Sequence, residues 1–314
     1  MPELKSTRDA YGQTLVRLGR SDPNIVVLDA DLSKSTMTRY FAQAFPDHFF
    51  DMGLAEQNMM SVAAGMAASG KTPFVSTFAV FAMGRAFDQV RVSIAQPGLN
   101  VKIVATHGGI SVGEDGASHH AVEDLALACA LPGFTVVVPT DAPETEQVIE
   151  LASRTPGPFY IRLARPAVPV LHGPEYRFEL GKAEVVHYGT DVAIIATGLM
   201  VAPALEAAED LHAEGIACQV LSLATLKPLD TEAIIAAAKE TGAVVTVEEH
   251  FLAGGLSAAV AQTLAENHPV PMSFVGIRDC YTKSGKPDEL WHMRGLTPKG
   301  ISTAVKSVLA RKRR

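Results

Sequence analysis

Glu56 is a carboxylate at the head of a small-sided run, Gly53-Leu-Ala-Glu-Gln-Asn58 followed by Ser61, Ala63, Ala64, Gly65, Ala67 and Ala68. An acid in a first helical turn suits the positive helix end and can serve as nothing more than a cap. Held in a dry pocket, the same group can relay a proton. The small sides would let a backbone or a flat ligand approach closely. A second stretch gathers more chemistry: His107-Gly-Gly-Ile-Ser-Val-Gly-Glu-Asp-Gly-Ala-Ser-His119-His120 carries imidazoles at His107 and His119, acids at Glu114 and Asp115, and several glycines. Imidazoles ordinarily titrate near neutrality and suit proton transfer. Glycines permit unusual dihedrals and close approach of a ligand. A structureless loop of this length in a compact domain is often functional, although a surface loop with incidental histidines reads the same way. The spacing matches no zinc pattern. Phe78 and Phe81 lie three apart, on one face if helical, as a core pair or as an aromatic platform. Arg8, Arg162 and Arg165 are scattered cations, suited to a phosphate or simply solvated.

These side chains need elements to hold them. Val- and Ile-rich runs alternate with helical periodicity along the whole chain, the pattern of parallel sheets covered on both faces. The first unit predicts helices over residues 7–19, 55–69, 77–95, 121–130 and 142–153. Its strands fall at 24–29, 49–53, 72–76, 101–106, 135–138 and 159–163. The loops at 29–35 and 107–120 therefore leave the carboxyl ends of strands, where such sheets place ligands. A proline-rich linker at 166–177 follows. The second unit, 178–314, predicts strands at 191–197, 217–222, 243–248 and 272–277, with helices at 202–214, 230–240, 254–266 and 297–309. The fold class is thus α/β, with two parallel-sheet domains at 1–165 and 178–314.

Composition narrows the function. The chain has 314 residues, 47% hydrophobic and 19% charged, which excludes a disordered chain and suits two domains. A net charge of −7 argues against general nucleic-acid binding; the one basic run, Arg311-Lys-Arg-Arg314, reads as a solvated tail. Cys129, Cys218 and Cys280 are far apart, indicating neither a disulfide framework nor a zinc site. The first eight residues lack the apolar core of a signal peptide, and no apolar run approaches membrane length, so the expected location is cytoplasmic, with no membrane contact. No GxGxxG fingerprint, Walker loop or GxSxG elbow occurs.

Several stretches, in order, resemble the transketolase family: Ala30-Asp-Leu-Ser-Lys-Ser35, Gly53-Leu-Ala-Glu-Gln-Asn58, Ser76-Thr-Phe-Ala-Val-Phe81, Thr106-His107 and Gly113-Glu-Asp-Gly-Ala-Ser-His119. Pro139-Thr-Asp, Ile161-Arg-Leu-Ala-Arg165, Val247-Glu-Glu-His250, Gly254-Gly-Leu and Ser284-Gly extend the likeness over nearly the whole chain. It covers the pyrimidine-binding and carboxyl-terminal domains. The amino-terminal domain that holds thiamine diphosphate and Mg²⁺ through a Gly-Asp-Gly…Asn motif has no counterpart here. The resemblance therefore implies the second subunit of a split transketolase, with a partner amino-terminal subunit carrying the metal ligands, in an α2β2 assembly with self-dimerisation.

It implies roles as well. Glu56 should meet N1′ of the aminopyrimidine, a task for a carboxyl with raised proton affinity, so that the cofactor's own amino group can remove the C2 proton. Phe78 and Phe81 should pack on the pyrimidine, with Arg85 nearby. His107 and His119 should bind donor hydroxyls or move protons, as groups titrating near neutrality, and Asp115 should accept from a sugar hydroxyl. Arg8, Ser35 and Arg165 match the positions that hold a sugar phosphate. Arg85 and Asp88, in Phe81-Ala-Met-Gly-Arg-Ala-Phe-Asp, are closer to deoxyxylulose-phosphate synthase. The alternatives are such a synthase-like subunit, a 2-oxoacid dehydrogenase E1 beta-like subunit, and a catalytically silent binding or regulatory subunit.

Overall fold

The computed structural model describes residues 3–312; Met1, Pro2, Arg313 and Arg314 lie outside them. Runs such as Ile25–Asp29, Lys102–Thr106 and Val192–Ala196 are buried along their whole length, as strands covered on both faces must be. Seven strands form the first sheet in the order Thr225–Lys227, Thr135–Val137, Phe159–Arg162, Lys102–Thr106, Thr72–Phe78, Ile25–Asp29 and Phe49–Asp51. All are parallel except Thr225–Lys227, an antiparallel edge lent by the second half of the chain. The second sheet runs Met272–Ile277, Val244–Phe251, Val192–Ala196, Cys218–Ser222 and Glu184–His187, with only the last antiparallel. Helices cover the faces, and both domains are parallel-sheet α/β as expected.

The largest departure from the sequence pattern falls at 77–95. The strand runs on through Thr77 to Phe78, where β-branched and aromatic residues favour the sheet, and Phe78 registers against Thr106. Two π-helical turns follow, Val80–Arg85 and Val90–Ala95, around a short α turn at Phe87–Gln89. Phe78 and Phe81 thus share no helix face. One ends a strand and the other opens a wide helical turn of the kind that often marks function. The pattern also passes over Glu184–His187, Thr225–Lys227 and the helix Pro287–Arg294, whose stop is Gly295 at φ 71°. Short edge strands and an eight-residue helix offer too few periods to register. The basic tail is not frayed at its start. The last helix runs to Lys312, where Arg311 reaches the Met272 carbonyl and the Ser273 hydroxyl and Lys312 donates to the Thr241 carbonyl at 2.6 Å.

The linker is pinned. Val168–Pro169 pairs with Leu4–Lys5, and His172 lies buried between Asp141 and Glu184, 2.9 Å from each carboxylate. Its ring stacks on Tyr176, whose hydroxyl donates to Glu144 at 2.5 Å. Burial opposes charge on His172, but the Asp141 hydrogen bond and the charges of Glu144, Asp141 and Glu184 outweigh it and raise its pKa from 6.5 to about 9. A histidine raised in the folded state stabilises fully below its unfolded value and loses that contribution as pH rises through the folded one. Urea titrations should therefore show stability falling by up to about 3 kcal/mol between pH 6.5 and 9, and His172→Gln should flatten this slope. A wild-type profile that is level across this window would contradict the assignment.

Candidate active site

Glu56 is the first residue of the helix Glu56–Ala68, and only 1% of its side chain is exposed. Arg85 donates through one nitrogen to both carboxylate oxygens, at 2.9 and 3.0 Å. The Arg85 guanidinium is half-exposed and lies 4.4 Å above the Phe81 ring centroid. It covers the acid from solvent. The helix keeps a bare outer side: Asn58, Ser61 and Gly65 are exposed, and the space a Cβ would fill at Gly65 or Gly84 is open. Beside it Leu54 is 77% exposed, and Asp88 pairs, among the described residues, with Arg91 alone, at 2.9 Å. Among the described residues, nothing therefore packs against the small-sided run at Gly65.

Four rings meet next to this wall. Phe78 stacks on His107 at 3.8 Å and lies 5.9 Å from Phe81, while His119 meets Phe81 edge-on at 5.3 Å and Phe78 at 6.3 Å. His107 holds a left-handed backbone, φ 60°, a strained state for a residue other than glycine and one that collects at functional sites. The Thr106 hydroxyl lies 2.8 Å from its Nδ1 and fixes the ring. Burial, then the charges of Arg8, Arg165 and His119, pushes the His107 pKa down to about 2. This corrects one expectation: His107 does not titrate near neutrality but stays a neutral imidazole that can bind without changing charge. His119 is half-buried, with its Nδ1 3.0 Å from the Ser118 hydroxyl.

The proposed phosphate group also gathers, already engaged. Arg8 donates to the carbonyls of Ser35 and Arg165 at 2.6 and 2.7 Å, and its buried Nε has no partner among the described residues. Ser35 sits on a four-residue helix, Ser33–Thr36, behind Asp29, which accepts from Leu32 N, Thr36 and Thr38. Arg165 reaches the Val112 carbonyl and lies 3.8 Å from both Glu114 and Asp115. Asp115 thus faces a cation in this chain.

The loop glycines serve a different purpose from the one their type suggests. A Cβ on Gly108 would lie 2.2 Å from Arg162 Nε, and one on Gly109 2.1 Å from Glu249 Oε2. What comes close to this backbone is the protein's own buried ion cluster. Arg162 pairs with Asp124 at 3.0 Å and donates to the carbonyls of Ala121 and Glu249. Glu249 accepts from Ile110 N, Ser111 N, the Ser111 hydroxyl and Trp291 Nε1, at 2.6–3.1 Å. Burial pushes the Glu249 carboxyl upward against the pull of Arg162 and these donors. His120 donates through Nε2 to the Gly113 carbonyl and meets Thr282 through Nδ1, while Ser284 donates to the Glu114 carbonyl at 2.5 Å. The second domain therefore holds the histidine loop in place. Sequence pattern alone leaves Arg162 a scattered cation and Glu249 without a role; the available signal is two adjacent acids inside the buried strand Val244–Phe251. Behind the Gly254–Gly255 pair, Glu248 caps the helix start by accepting from Leu256 N and Ser257 N.

Glu56, Phe81 and Arg85 fit one side of a flat, protonatable heterocycle: an acid for a ring nitrogen, an aromatic face and a cation that can turn outward into solvent. They do not make a diphosphate site, and no group of three His, Cys, Asp or Glu able to hold a metal lies among the described residues. Residues 4–170 match the transketolase pyrimidine-binding domain, and residues 181–301 the transketolase carboxyl-terminal domain. A chain described as a transketolase C-terminal section, from Methanocaldococcus jannaschii, is 46% identical over 96% of this chain and 95% of its own. The 6-deoxy-6-sulfo-D-fructose transketolase subunit of Clostridium sp. is 43% identical over 97% and 95%. A solved split-gene transketolase, described as an inactive beta4 tetramer, superposes with a TM-score of 0.92 at 53% identity, covering 98% of this chain and 99% of that one. With its buried acid, paired rings and histidine loop set in two matched domains, this chain belongs to the transketolase family, among its split, carboxyl-terminal subunits.

Proposed function

We propose that this chain is the beta-type subunit of a thiamine-diphosphate-dependent transketolase, moving a two-carbon ketol unit from a ketose to an aldose in complex with a separate amino-terminal subunit. The observation that carries this reading is the buried Glu56 beside Phe81 and Arg85, on a wall that its own chain leaves open. When bound, thiamine diphosphate supplies the carbanion chemistry. Glu56 would hold the proton at the pyrimidine nitrogen once Arg85 turns aside. Phe81 would face the ring, and Phe78 would support it through His107. Neutral His107 would hold donor hydroxyls, and His119 would be the imidazole that exchanges a proton with them. Asp115, Arg8, Ser35 and Arg165 would receive the anionic end of the sugar. That end is a phosphate on this reading; the sulfonated sugar in the name of the Clostridium relative extends the class to other anions.

The same reading gives the diphosphate and Mg²⁺ contacts to the partner subunit, takes the assembly as α2β2, sets the domains at 1–165 and 178–314, and places the enzyme in the cytoplasm. Free thiols at Cys129, Cys218 and Cys280 agree with a reducing compartment, and no described helix is long and apolar enough to cross a membrane. The imidazole pair and Asp115 favour polyhydroxylated substrates over 2-oxoacids. Co-expression with the amino-terminal subunit and a screen of ketose donors tests the reading. Two-carbon transfer by the pair alone supports it; decarboxylation of 2-oxoacids without ketol transfer would replace it. Half a pocket binds weakly, so calorimetry on the lone chain should show thiamine diphosphate affinity at least about 100-fold below that of the pair, the loss of roughly 3 kcal/mol of contacts. Equal affinity would contradict a shared site.

A further inference from the structure

Away from this site, the second sheet ends in an uncovered strand, Met272–Ile277. A cleft of about 580 Å³ follows it, walled by five consecutive residues, Met272 to Gly276, and by the last helix. Side chains alternate across a strand, so a wall of consecutive residues is a backbone edge and not a sheet face. The register fixes which groups are free. The Pro271 carbonyl accepts from Val244 N and the Ile277 carbonyl from Leu252 N, so odd-numbered residues turn inward. Met272, Phe274 and Gly276 turn outward, and the Met272 carbonyl is taken up by Arg311. By this register the amides and carbonyls of Phe274 and Gly276 point away from the neighbouring strand, and no side chain among the described residues bonds to them.

Three arginines line the same cleft, Arg278, Arg294 and Arg311, and no acid does. None of them forms an ion pair among the described residues, and the buried Nε of Arg294 has no acceptor. In a chain of net charge −7 this is an unneutralised basic groove. We propose that the edge receives an extended acidic segment of another protein as an added strand, its main chain bonded to Phe274 and Gly276 and its carboxylates to the arginines. The edge spans about 16 Å, too long for one small anion to satisfy both its backbone groups and its cations. A second copy fits badly, since a two-fold pairing of identical edges would bring six arginines together.

Fluorescence anisotropy on the full chain with a labelled hexapeptide alternating glutamate and valine tests this. Saturable binding is expected, weakened tenfold or more by Arg278→Glu and lost when alternate peptide amides are N-methylated. Arg278 is exposed, so its replacement should leave the thermal melt unchanged. Equal binding of the N-methylated peptide, or displacement by inorganic triphosphate at matching concentration, would overturn strand addition in favour of a simple anion site. Failure of the peptide to bind, with self-association in sedimentation that Arg278→Glu abolishes, would assign the edge to a second copy.

Discussion

Glu56→Gln in the two-subunit enzyme is expected to lower kcat by roughly 10²–10⁴-fold while leaving assembly intact, the range associated with losing a proton-transferring group. The side chains are near-isosteric and Glu56 is buried, so packing around the helix start should hold. What changes is the ability to take up and return a proton, together with one acceptor for Arg85, which now grips both oxygens. The measurement is deuterium exchange at C2 of the bound cofactor, read alongside ketol transfer. Exchange at the wild-type rate in the variant would remove Glu56 from its assigned place.

Arg162→Met should be the most damaging change to stability, costing about 3–5 kcal/mol in urea unfolding, because it strands one side of a buried ion pair. Asp124 would keep the Tyr160 hydroxyl, at 2.7 Å, and His250 Nε2, at 4.0 Å, while the carbonyls of Ala121 and Glu249 would each lose the Arg162 donor. Gly108, which leaves no room for a side chain because the guanidinium lies against it, would border a cavity. A loss below about 1 kcal/mol would mean that the cluster is not closed as described.

Much of this architecture was readable because it is local. Continuous apolar runs announce the inner strands, and an acid opening a small-sided helix is visible in the sequence, though its burial is not. What escaped depended on distance along the chain. Arg85 lies 29 residues from Glu56, and Glu249 lies 139 from Ile110, so nothing periodic links them. The loop glycines suggest close approach by a ligand, yet what approaches Gly108 and Gly109 is the protein's own Arg162 and Glu249. Phe78 failed as a helical residue because the sheet's pull on Thr77 and Phe78 outweighed a pattern of aromatics three apart. His107 failed as a titrating group because burial and two neighbouring arginines are facts of three dimensions.

Thr225–Lys227 has a consequence for inheritance. This short ribbon covers the flank of Thr135–Val137, and Lys227 ties it down through the carbonyls of Cys129 and Leu131. A gene cut inside the proline-rich connector would leave Val136 and Val137 bordering an open, adhesive rim in one product and an orphaned ribbon in the other. Recombination within the connector would therefore damage both of its products at once.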